Sequence, residues 1–522
     1  MRILFLAVQQ LPMRSTELTY VPQSTSKRRI GRGVGVAAAV AVVAAVTAPV
    51  AAHAATDAGP AEPAATKLHD DLNGDGYADL AVAAPSATVG GKKGAGYVAV
   101  VYGSKNGLDI TTRQVLSQST AGVPGSPETD DAFGSALTTA DLDRDGYADL
   151  VVGVGREDTA DGGAESGMAE VLWGGPQGLT GGPVLATGKA HDGLGGQGRL
   201  TVGDVNGDGA ADLVTVANQH DLRVLNGPFT RAGGTAHGEQ VVKDEFDSRV
   251  LDLAAGDVNG DGVTDVAASE NDGDEYDARR VVYWPGSPRG LSPYTTVKGG
   301  DGYRLQGGEN LDIGDVDQDG VDDIVVGRAV DGYDSDLDTP LAKGGRVSLI
   351  PGTPDGPDGA HATFLNQDSP GVPGSAERGD GFGTDVRIAD VDGDGHPDVA
   401  TGLPGEDLDG VTDAGAVVVL RGTAQGLTGT GAQVVTQNTP DVPGAAEQGD
   451  TFGGAVHLAD ADHDGLADLA VGAPGENGKA GSVWYFRSGP STVVSPNGTT
   501  TFGNTLLGTS ATNARLGTAF AG

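Results

Sequence analysis

The stretch Asp460-Ala461-Asp462-His463-Asp464-Gly465-Leu466-Ala467-Asp468, followed by Leu469-Ala470-Val471-Gly472-Ala473-Pro474, decides the fold of this chain. Its first part has the pattern D-x-[DN]-x-D-G-x-x-D, which occurs seven times in 522 residues. A pattern that recurs along a chain at similar spacing is typical of one structural unit repeated in tandem. We number the copies loop 1 to loop 7; they span residues 71–79, 141–149, 204–212, 257–265, 315–323, 390–398 and 460–468.

Each loop supplies the oxygen ligands of a hard cation. Side-chain oxygens at positions 1, 3, 5 and 9 and the main-chain carbonyl at position 7 can converge, because the Gly at position 6 permits a sharp turn. An all-oxygen shell of flexible geometry favours calcium, since magnesium usually keeps several waters and zinc or copper prefers nitrogen or sulfur. The sequence therefore predicts up to seven calcium ions. The predicted ligand residues are Asp71, Asn73, Asp75, Tyr77 and Asp79; Asp141, Asp143, Asp145, Tyr147 and Asp149; Asp204, Asn206, Asp208, Ala210 and Asp212; Asp257, Asn259, Asp261, Val263 and Asp265; Asp315, Asp317, Asp319, Val321 and Asp323; Asp390, Asp392, Asp394, His396 and Asp398; and Asp460, Asp462, Asp464, Leu466 and Asp468.

Two other structures could produce such a loop. An EF-hand needs a Glu at position 12 and flanking helices, but position 12 is Val, Thr or Ala in every copy. Short apolar runs such as Asp149–Gly153 and Asp323–Gly327 follow the loops instead, and these are typical of buried strands. The other alternative is an acidic turn without metal, yet 25 carboxylates in seven tight clusters would repel one another without a cation. We therefore expect calcium in β-hairpin loops.

Composition and spacing favour an all-β fold. The chain has 88 Gly, no Cys and 5% aromatic residues, which suits many turns and excludes disulfides and thiolate metal sites. A second strand ending near a Gly follows each loop and its strand, a third comes next, and a further strand precedes the next loop. Four strands in each unit of about 53–75 residues are typical of a β-propeller.

The sequences that flank the loops resemble a known repeat. Phe452-Gly453 before loop 7 and Val471–Pro474 after it resemble the FG-GAP repeat, which builds the seven-bladed propeller at the head of integrin α-subunits and of related bacterial secreted proteins. The resemblance covers residues 68–522 and implies a seven-bladed β-propeller with structural calcium. It is most specific in repeats two, six and seven, whereas repeats three to five keep the loop but lose the flanking signatures.

The last residues of the chain are predicted to close the ring. Arg515–Gly522 is similar to Gly381–Ile388, the segment that precedes loop 6, but no calcium loop follows it. We expect this tail to pair into the first blade as its missing strand, so that no open sheet edge remains. The alternative is a frayed tail.

The N-terminal residues have the pattern of an export signal. A basic segment that includes Lys27-Arg28-Arg29 precedes the apolar stretch Val34–Val46, and Ala52-His53-Ala54 has the small-x-small form of a cleavage site. We predict a signal peptide at 1–54, a flexible linker at 55–67 and a secreted, extracellular domain at 68–522. A membrane anchor is the alternative for the apolar stretch, which is short for a span. Export by the twin-arginine route and a start at Met13 also remain open.

The charge of the chain limits its partners. The formal net charge is −39, and seven calcium ions would still leave the exported part strongly acidic. Such a surface should repel nucleic acid and anionic membranes. We expect a monomer with no membrane span after signal cleavage, because nothing in the sequence implies an integrin-type β-subunit.

The two faces of the propeller should have different roles. The calcium loops and the Gly-Leu turns share one face, here called the calcium face; the connections between strands two and three and between blades share the other, here called the variable face. Because the ions lie opposite the variable connections, we expect a secreted binding or adhesion module for protein or carbohydrate ligands, with calcium structural. The tripeptide Arg378-Gly379-Asp380 lies on the variable face, but its Asp matches Asp450 and Asp131 in other repeats, so we interpret it as part of the repeat.

Catalysis has no positive support in the sequence. The chain contains no G-x-S-x-G, H-E-x-x-H or phosphate-binding G-x-x-x-x-G-K-[ST] motif. Acidic pairs are too numerous to single out a catalytic acid and base. A secreted hydrolase with a site in the central funnel of the propeller remains the alternative function.

Overall fold

A computed structural model describes residues 69–233, 237–244, 248–271, 273, 279–332, 342–489 and 492–522. The predicted signal peptide (1–54) and linker (55–67) lie outside these residues. Within them the chain forms seven four-stranded antiparallel sheets, which are the blades of a β-propeller. The predicted all-β, seven-bladed fold is therefore confirmed.

The strands follow one another through the blades in chain order. Blade 1 begins with β1 (Leu80–Ala84), β2 (Tyr97–Tyr102) and β3 (Asp109–Leu116), and blade 2 contains β4 (Phe133–Ala140), β5 (Asp149–Val154), β6 (Met168–Trp173) and β7 (Thr180–Thr187). Blade 3 contains β8 (Leu200–Gly203), β9 (Asp212–Ala217), β10 (Asp221–Leu225) and β11 (Glu239–Val242), and blade 4 contains β12 (Arg249–Gly256), β13 (Asp265–Asn271), β14 (Arg279–Trp284) and β15 (Thr295–Thr296). Blade 5 contains β16 (Asn310–Gly314), β17 (Asp323–Arg328), β18 (Arg346–Ile350) and β19 (Thr363–Leu365), and blade 6 contains β20 (Val386–Ala389), β21 (Asp398–Leu403), β22 (Ala416–Arg421) and β23 (Thr428–Val435). Blade 7 contains β24 (Ala455–Ala459), β25 (Asp468–Ala473), β26 (Ser482–Phe486) and β29 (Thr500–Gly503), with the hairpin β27 (Ser488–Gly489) and β28 (Thr492–Val494) inserted before its last strand; β30 (Ala519–Phe520) completes blade 1.

In the described ranges, helical structure is limited to single turns. A 3-10 turn at Gly359–His361 precedes β19, and short helices occur at Glu476–Lys479 (α1) and Asn504–Leu507 (α2). Among the described residues no helix is long and apolar enough to cross a membrane.

Hydrophobic cores lie between neighbouring blades. The second strand of a blade is buried on both faces, as in β17 (DIVVGR) and β21 (DVATGL), because each face packs on an adjacent blade. Seven clusters of buried side chains fill the seven gaps between blades. The Phe of each Phe-Gly signature is fully buried in such a cluster: Phe133, Phe382 and Phe452.

Close main-chain approach explains the glycines of the repeat signatures. A Cβ on Gly402, which follows loop 6, would lie 1.9 Å from the carbonyl oxygen of Gly453 in the next blade. A Cβ on Gly472 would lie 2.1 Å from the carbonyl oxygen of Gly517. Gly453 and Gly517 both have φ of +86°, a left-handed conformation that only Gly adopts without strain. The signatures thus mark the places where one blade touches the backbone of the next.

The C-terminal strand closes the ring, as predicted. In β30, Phe520 pairs with Val82 and Ala519 with Ala83 of β1. The amide of Ala521 donates to the carbonyl of Ala81 at 3.0 Å. Phe520 is buried among side chains of blades 7 and 1. The inner strand of blade 1 therefore comes from the end of the described chain, and the edge of β1 is covered.

Candidate metal loops and binding face

The seven loops share one hydrogen-bonded conformation. In each, the carboxylate at position 1 accepts the amide of position 6 at 2.6–3.1 Å. The carboxylate at position 5 accepts the amide of position 7 at 2.9–3.1 Å. These bonds curl the backbone of each loop around the carboxylate of position 1.

Two positions of each loop have left-handed backbone. The Gly at position 6 has φ of 81–98° in all seven copies, as the sequence predicted. Position 4 is also left-handed in all seven, and in three loops it is not Gly: Arg144, Gln318 and His463 have φ of 57–61°. The sequence pattern leaves position 4 open and thus did not indicate this requirement.

The Asp at position 9 joins the loop to the blade. Its Oδ1 accepts the amide of a residue just beyond the third strand of the blade at 2.7–2.9 Å in every blade. Burial raises the pKa of Asp79 to about 8 and that of Asp149 to about 7, although main-chain donors oppose the shift. A cation beside these carboxylates would offset the cost of burying their charge.

Carboxylates converge in the loops that have Asp at position 3. Ligand atoms lie within 4.8 Å of one another in four groups among the described residues. Loops 1, 3 and 4 have Asn at position 3 and offer an amide oxygen there instead. The four groups are Asp141, Asp143 and Asp149; Asp315, Asp317 and Asp319; Asp390, Asp392 and Asp398; and Asp460, Asp462 and Asp464.

Two buried oxygens support the fit of these loops to a cation. Oδ1 of Asp143 and Oδ1 of Asp462 are buried and have no hydrogen-bond partner among the described residues. Both belong to position 3, one of the predicted ligand positions. A buried carboxylate oxygen without a donor is costly, and a hard cation is the partner that an all-oxygen loop suits best. The predicted ligands are thus placed where a calcium ion could use them, and the ion itself stays a prediction.

Neighbouring loops are linked around the calcium face. The amide of position 8 in one loop donates to the carbonyl of position 1 in its neighbour, as Ala148 does to Asp71 at 3.0 Å and Ala78 does to Asp460 at 3.3 Å. The latter bond crosses the junction between the first and last blades. Loop 6 has Pro397 at position 8, which has no amide hydrogen to give to loop 5.

A polar channel runs through the centre of the propeller. It has a volume of about 490 Å³ and is lined by the innermost strands. Burial raises the pKa of Asp252 to about 8 and that of Asp312 to about 6. Arg387 lies among these groups and donates to Asp385 at 3.1 Å.

The channel carboxylates hold the blades together. The innermost strands have main-chain amides that are not bonded to another strand, and side chains of the preceding blade accept hydrogen bonds from these amides. Asp252 accepts from Leu311 at 2.9 Å, and Asp385 accepts from Val456 at 2.9 Å. Asn310 does the same for Val386 at 2.9 Å. All three acceptors stand five residues before a loop. This ladder was not predicted from the sequence, although the shared spacing of its acceptors is visible there.

A repeated Gln–Glu bond orders the variable face in blades 2, 6 and 7. The Gln amide group donates to the Glu carboxylate at 2.7–2.8 Å in the pairs Gln118–Glu157, Gln367–Glu406 and Gln437–Glu476. Burial raises the pKa of Glu157 to about 7. A neighbouring Asp is buried in each case, and Asp380, the last residue of Arg378-Gly379-Asp380, is 4% exposed and accepts the amide of Glu377. This burial agrees with its interpretation as part of the repeat.

The family comparison matches blade 1 and the three blades that have a Phe-Gly signature before their loop. A family model described as the FG-GAP repeat matches residues 69–101, 133–169, 382–420 and 452–486, in blades 1, 2, 6 and 7. The chain contains FG-GAP repeats in these four places. Blades 3 to 5, which the family model does not match, have the same sheet order and the same loops as the matched blades. The same structural unit is therefore present in all seven blades.

Curated relatives of this FG-GAP propeller cover part of it. Integrin alpha-5 of Xenopus laevis is 29% identical over 222 residues, which is 40% of this chain and 20% of that protein. Phosphatidylinositol-glycan-specific phospholipase D of Rattus norvegicus is 32% identical over 203 residues, 37% of this chain and 22% of that protein. Integrin alpha-IIb of Homo sapiens is 46% identical over 85 residues, 16% of this chain and 7% of that protein. The chain thus spans about a fifth of the first two relatives and resembles an integrin-α propeller.

Proposed function

We propose that this FG-GAP propeller is a secreted, calcium-stabilised module that binds a protein or carbohydrate ligand through its variable face. The observation that supports the proposal is the division between the faces. All seven loops have one conformation, and main-chain bonds link five of the neighbouring pairs, whereas the opposite connections differ in length from residues 218–220 in blade 3 to residues 329–345 in blade 5. Loops that differ on a rigid scaffold are the usual location of binding residues.

The role proposed for calcium is structural. An ion in each loop would fix the hairpin between the first two strands of a blade and neutralise charge that the fold concentrates there. Removal of the ions should then destabilise the whole ring without altering a ligand contact directly. Differential scanning calorimetry with calcium, with magnesium and with chelator tests this role; equal melting temperatures in the three buffers would refute it.

One exposed aromatic residue marks a candidate contact on the variable face. Tyr303 is 76% exposed and lies in the connection between blades 4 and 5. Gly302 and Gly299 hold this connection in a tight turn through a 2.9 Å main-chain bond. An exposed Tyr on an ordered turn offers an aromatic surface and a hydroxyl, which suits either ligand class.

Protein and glycan arrays with and without calcium test the binding role. Labelled residues 55–522 should bind a ligand in calcium, and Tyr303→Ala should weaken that binding. Val241→Ala is the matched control, because Val241 is also exposed but lies on the outer strand β11. An equal loss of binding in both variants would place the ligand contact outside the variable face. If no arrayed protein or glycan binds, the proposed binding function is rejected.

A hydrolase at the central channel is the second candidate function. Its support is the raised pKa of Asp252 and of Asp312 in the channel, a property that catalytic acids share. Both side chains already accept main-chain amides of the next blade, which is why we favour the binding role. Chromogenic glycoside and phosphodiester substrates test the alternative: turnover that Asp312→Asn abolishes without unfolding would establish it.

The proposed module is exported and acts as a monomer. Sequencing of the secreted protein should begin at Ala55, and light scattering should give the mass of one chain. Retention in the membrane fraction would contradict the predicted cleavage.

A further inference from the structure

The seven loops differ in charge at position 3. Loops 1, 3 and 4 have Asn there, and loops 2, 5, 6 and 7 have Asp. The Asp loops thus have one more negative charge around the predicted ion. Calcium affinity in such sites depends on the number of charged ligands, so these loops should bind more tightly unless another group offsets the charge.

Arginine side chains contact the additional carboxylate in three of the four Asp loops. Arg231 donates through Nε to Oδ2 of Asp143 in loop 2 at 2.6 Å. Arg421, the last residue of β22, contacts Oδ2 of Asp392 in loop 6, and Arg487, which follows β26, contacts Oδ2 of Asp462 in loop 7. Arg421 also bonds Asp398 at 3.0 Å.

In loops 2 and 7 the arginine contacts only one carboxylate oxygen of position 3. In loop 2, Arg231 also donates to Oδ2 of Asp145 at 2.5 Å and to the carbonyl of Gly174 at 3.2 Å, which fixes the guanidinium beside the loop. Oδ1 of Asp143 and Oδ1 of Asp462 stay buried without a hydrogen-bond partner in the described structure. One oxygen of each side chain therefore meets the arginine while the other is directed elsewhere and can meet an ion.

Loop 5 differs from the other Asp loops. No ion pair between Asp315, Asp317 or Asp319 and an arginine or lysine occurs within the described residues. The blade supplies Pro351 at the point where blade 6 has Arg421. His396 of loop 6 lowers the pKa of Asp317, but its effect is smaller than those of burial and of the neighbouring carboxylates, which raise that pKa. In the described part of the chain, loop 5 thus has four carboxylates and no neutralising arginine.

We propose that Arg231, Arg421 and Arg487 lower the calcium affinity of loops 2, 6 and 7 to the level of the Asn loops, and that loop 5 is the tightest calcium site. This inference rests on the proposed calcium-binding function. An Asp with an arginine on its outer oxygen has the net charge of an Asn, so loop 5 keeps a negative charge that an arginine offsets in loops 2, 6 and 7. The arginines are affinity-setting residues and need not leave when an ion binds.

Calcium titration of residues 55–522 tests the proposal, with isothermal calorimetry for affinity and native mass spectrometry for ion number. Wild type should show one ion bound more tightly than the rest. Asp317→Asn should weaken that ion about tenfold, the effect expected of one unit charge beside a divalent ion near the surface. Arg231→Gln should strengthen binding of one ion by about the same factor.

Matched variants separate charge from packing. Arg231→Lys retains the charge and should leave affinity unchanged, and Arg223→Gln removes an arginine that pairs with Glu239 outside the loops. Arg231 is half exposed, so its variants should fold, and circular dichroism checks this. Weaker or unchanged binding in Arg231→Gln, or a tightest site that Asp317→Asn does not affect, would overturn the inference. Wild type that binds no calcium at all would instead refute the proposed function.

Discussion

Glu170 is expected to make the propeller more stable in acid than at neutral pH, and its replacement should remove its contribution to that dependence. It lies in β6 between Val152 and Val184 of the neighbouring strands. Its side chain is fully buried, and neither carboxylate oxygen has a hydrogen-bond partner among the described residues. Burial, with a smaller contribution from Glu157, raises the pKa of Glu170 from 4.5 to about 9.

The sign and size of the effect follow from proton linkage. Above pH 4.5 the unfolded chain releases the Glu170 proton, but the folded chain keeps it. Stability should therefore fall by about 1.4 kcal/mol for each pH unit from that point up to the folded pKa. At pH 7 the accumulated loss is about 3 kcal/mol.

Urea unfolding at pH 5, 6, 7 and 8 in calcium buffer provides the assay. The difference in unfolding free energy between Glu170→Leu and wild type should grow with pH and reach about 3 kcal/mol at pH 7. Glu170→Gln should abolish the same pH dependence with a smaller gain, because its amide stays buried without partners. Glu128→Gln, at an exposed position, is the control and should change little. A difference that is constant across pH would refute the reasoning.

Three further predictions concern the ring. Phe520→Ala should lower the unfolding free energy by about 3–5 kcal/mol, since Phe520 is 3% exposed; a thermal melt that matches that of Val434→Ala, an exposed control, would contradict ring closure by this strand. Gly402→Ala should lower the unfolding free energy by several kcal/mol, because its Cβ would lie 1.9 Å from the carbonyl oxygen of Gly453. Gly410→Ala is the control: no atom lies within 4 Å of its Cβ, so it should show only the cost of placing Ala in a left-handed conformation. Equal melting temperatures for the two variants would refute the contact. Chelation should lower stability by about 2.7 kcal/mol for each site that had been held at 100 times its dissociation constant, and a chelator melt that calcium does not reverse would count against the metal loops.

The sequence predicted the blades because their determinants are local. Each loop, its following apolar strand and the Phe-Gly and Gly-Ala-Pro signatures lie within one repeat, so the pattern could be read without knowing the fold. The strand pairing of Phe520 with Val82 is not local, but the similarity of the tail to Gly381–Ile388 indicated it.

Contacts between blades could not be predicted in the same way. Asp252 and Asp385 look like ordinary acidic residues until the ring places each beside the next blade. Arg231 is 86 positions from Asp145, and only the curvature of the propeller brings them together. Position 4 of the loops was also missed, because its left-handed backbone is occupied by Gly in some copies and by Arg144, Gln318 or His463 in others.

The shared construction of blade 1 has a consequence for the order of synthesis. Tyr97 bonds Asn504 across 407 positions, and β1 receives its inner partner only from Ala519 and Phe520. While the chain is being made, blades 2 to 6 can complete their sheets one after another, but the first blade must wait for the last strand. Until then the inner edge of β1 is open to strands of other chains. Growing or truncated chains are therefore the form of this protein most exposed to aggregation, and the final residues end that exposure.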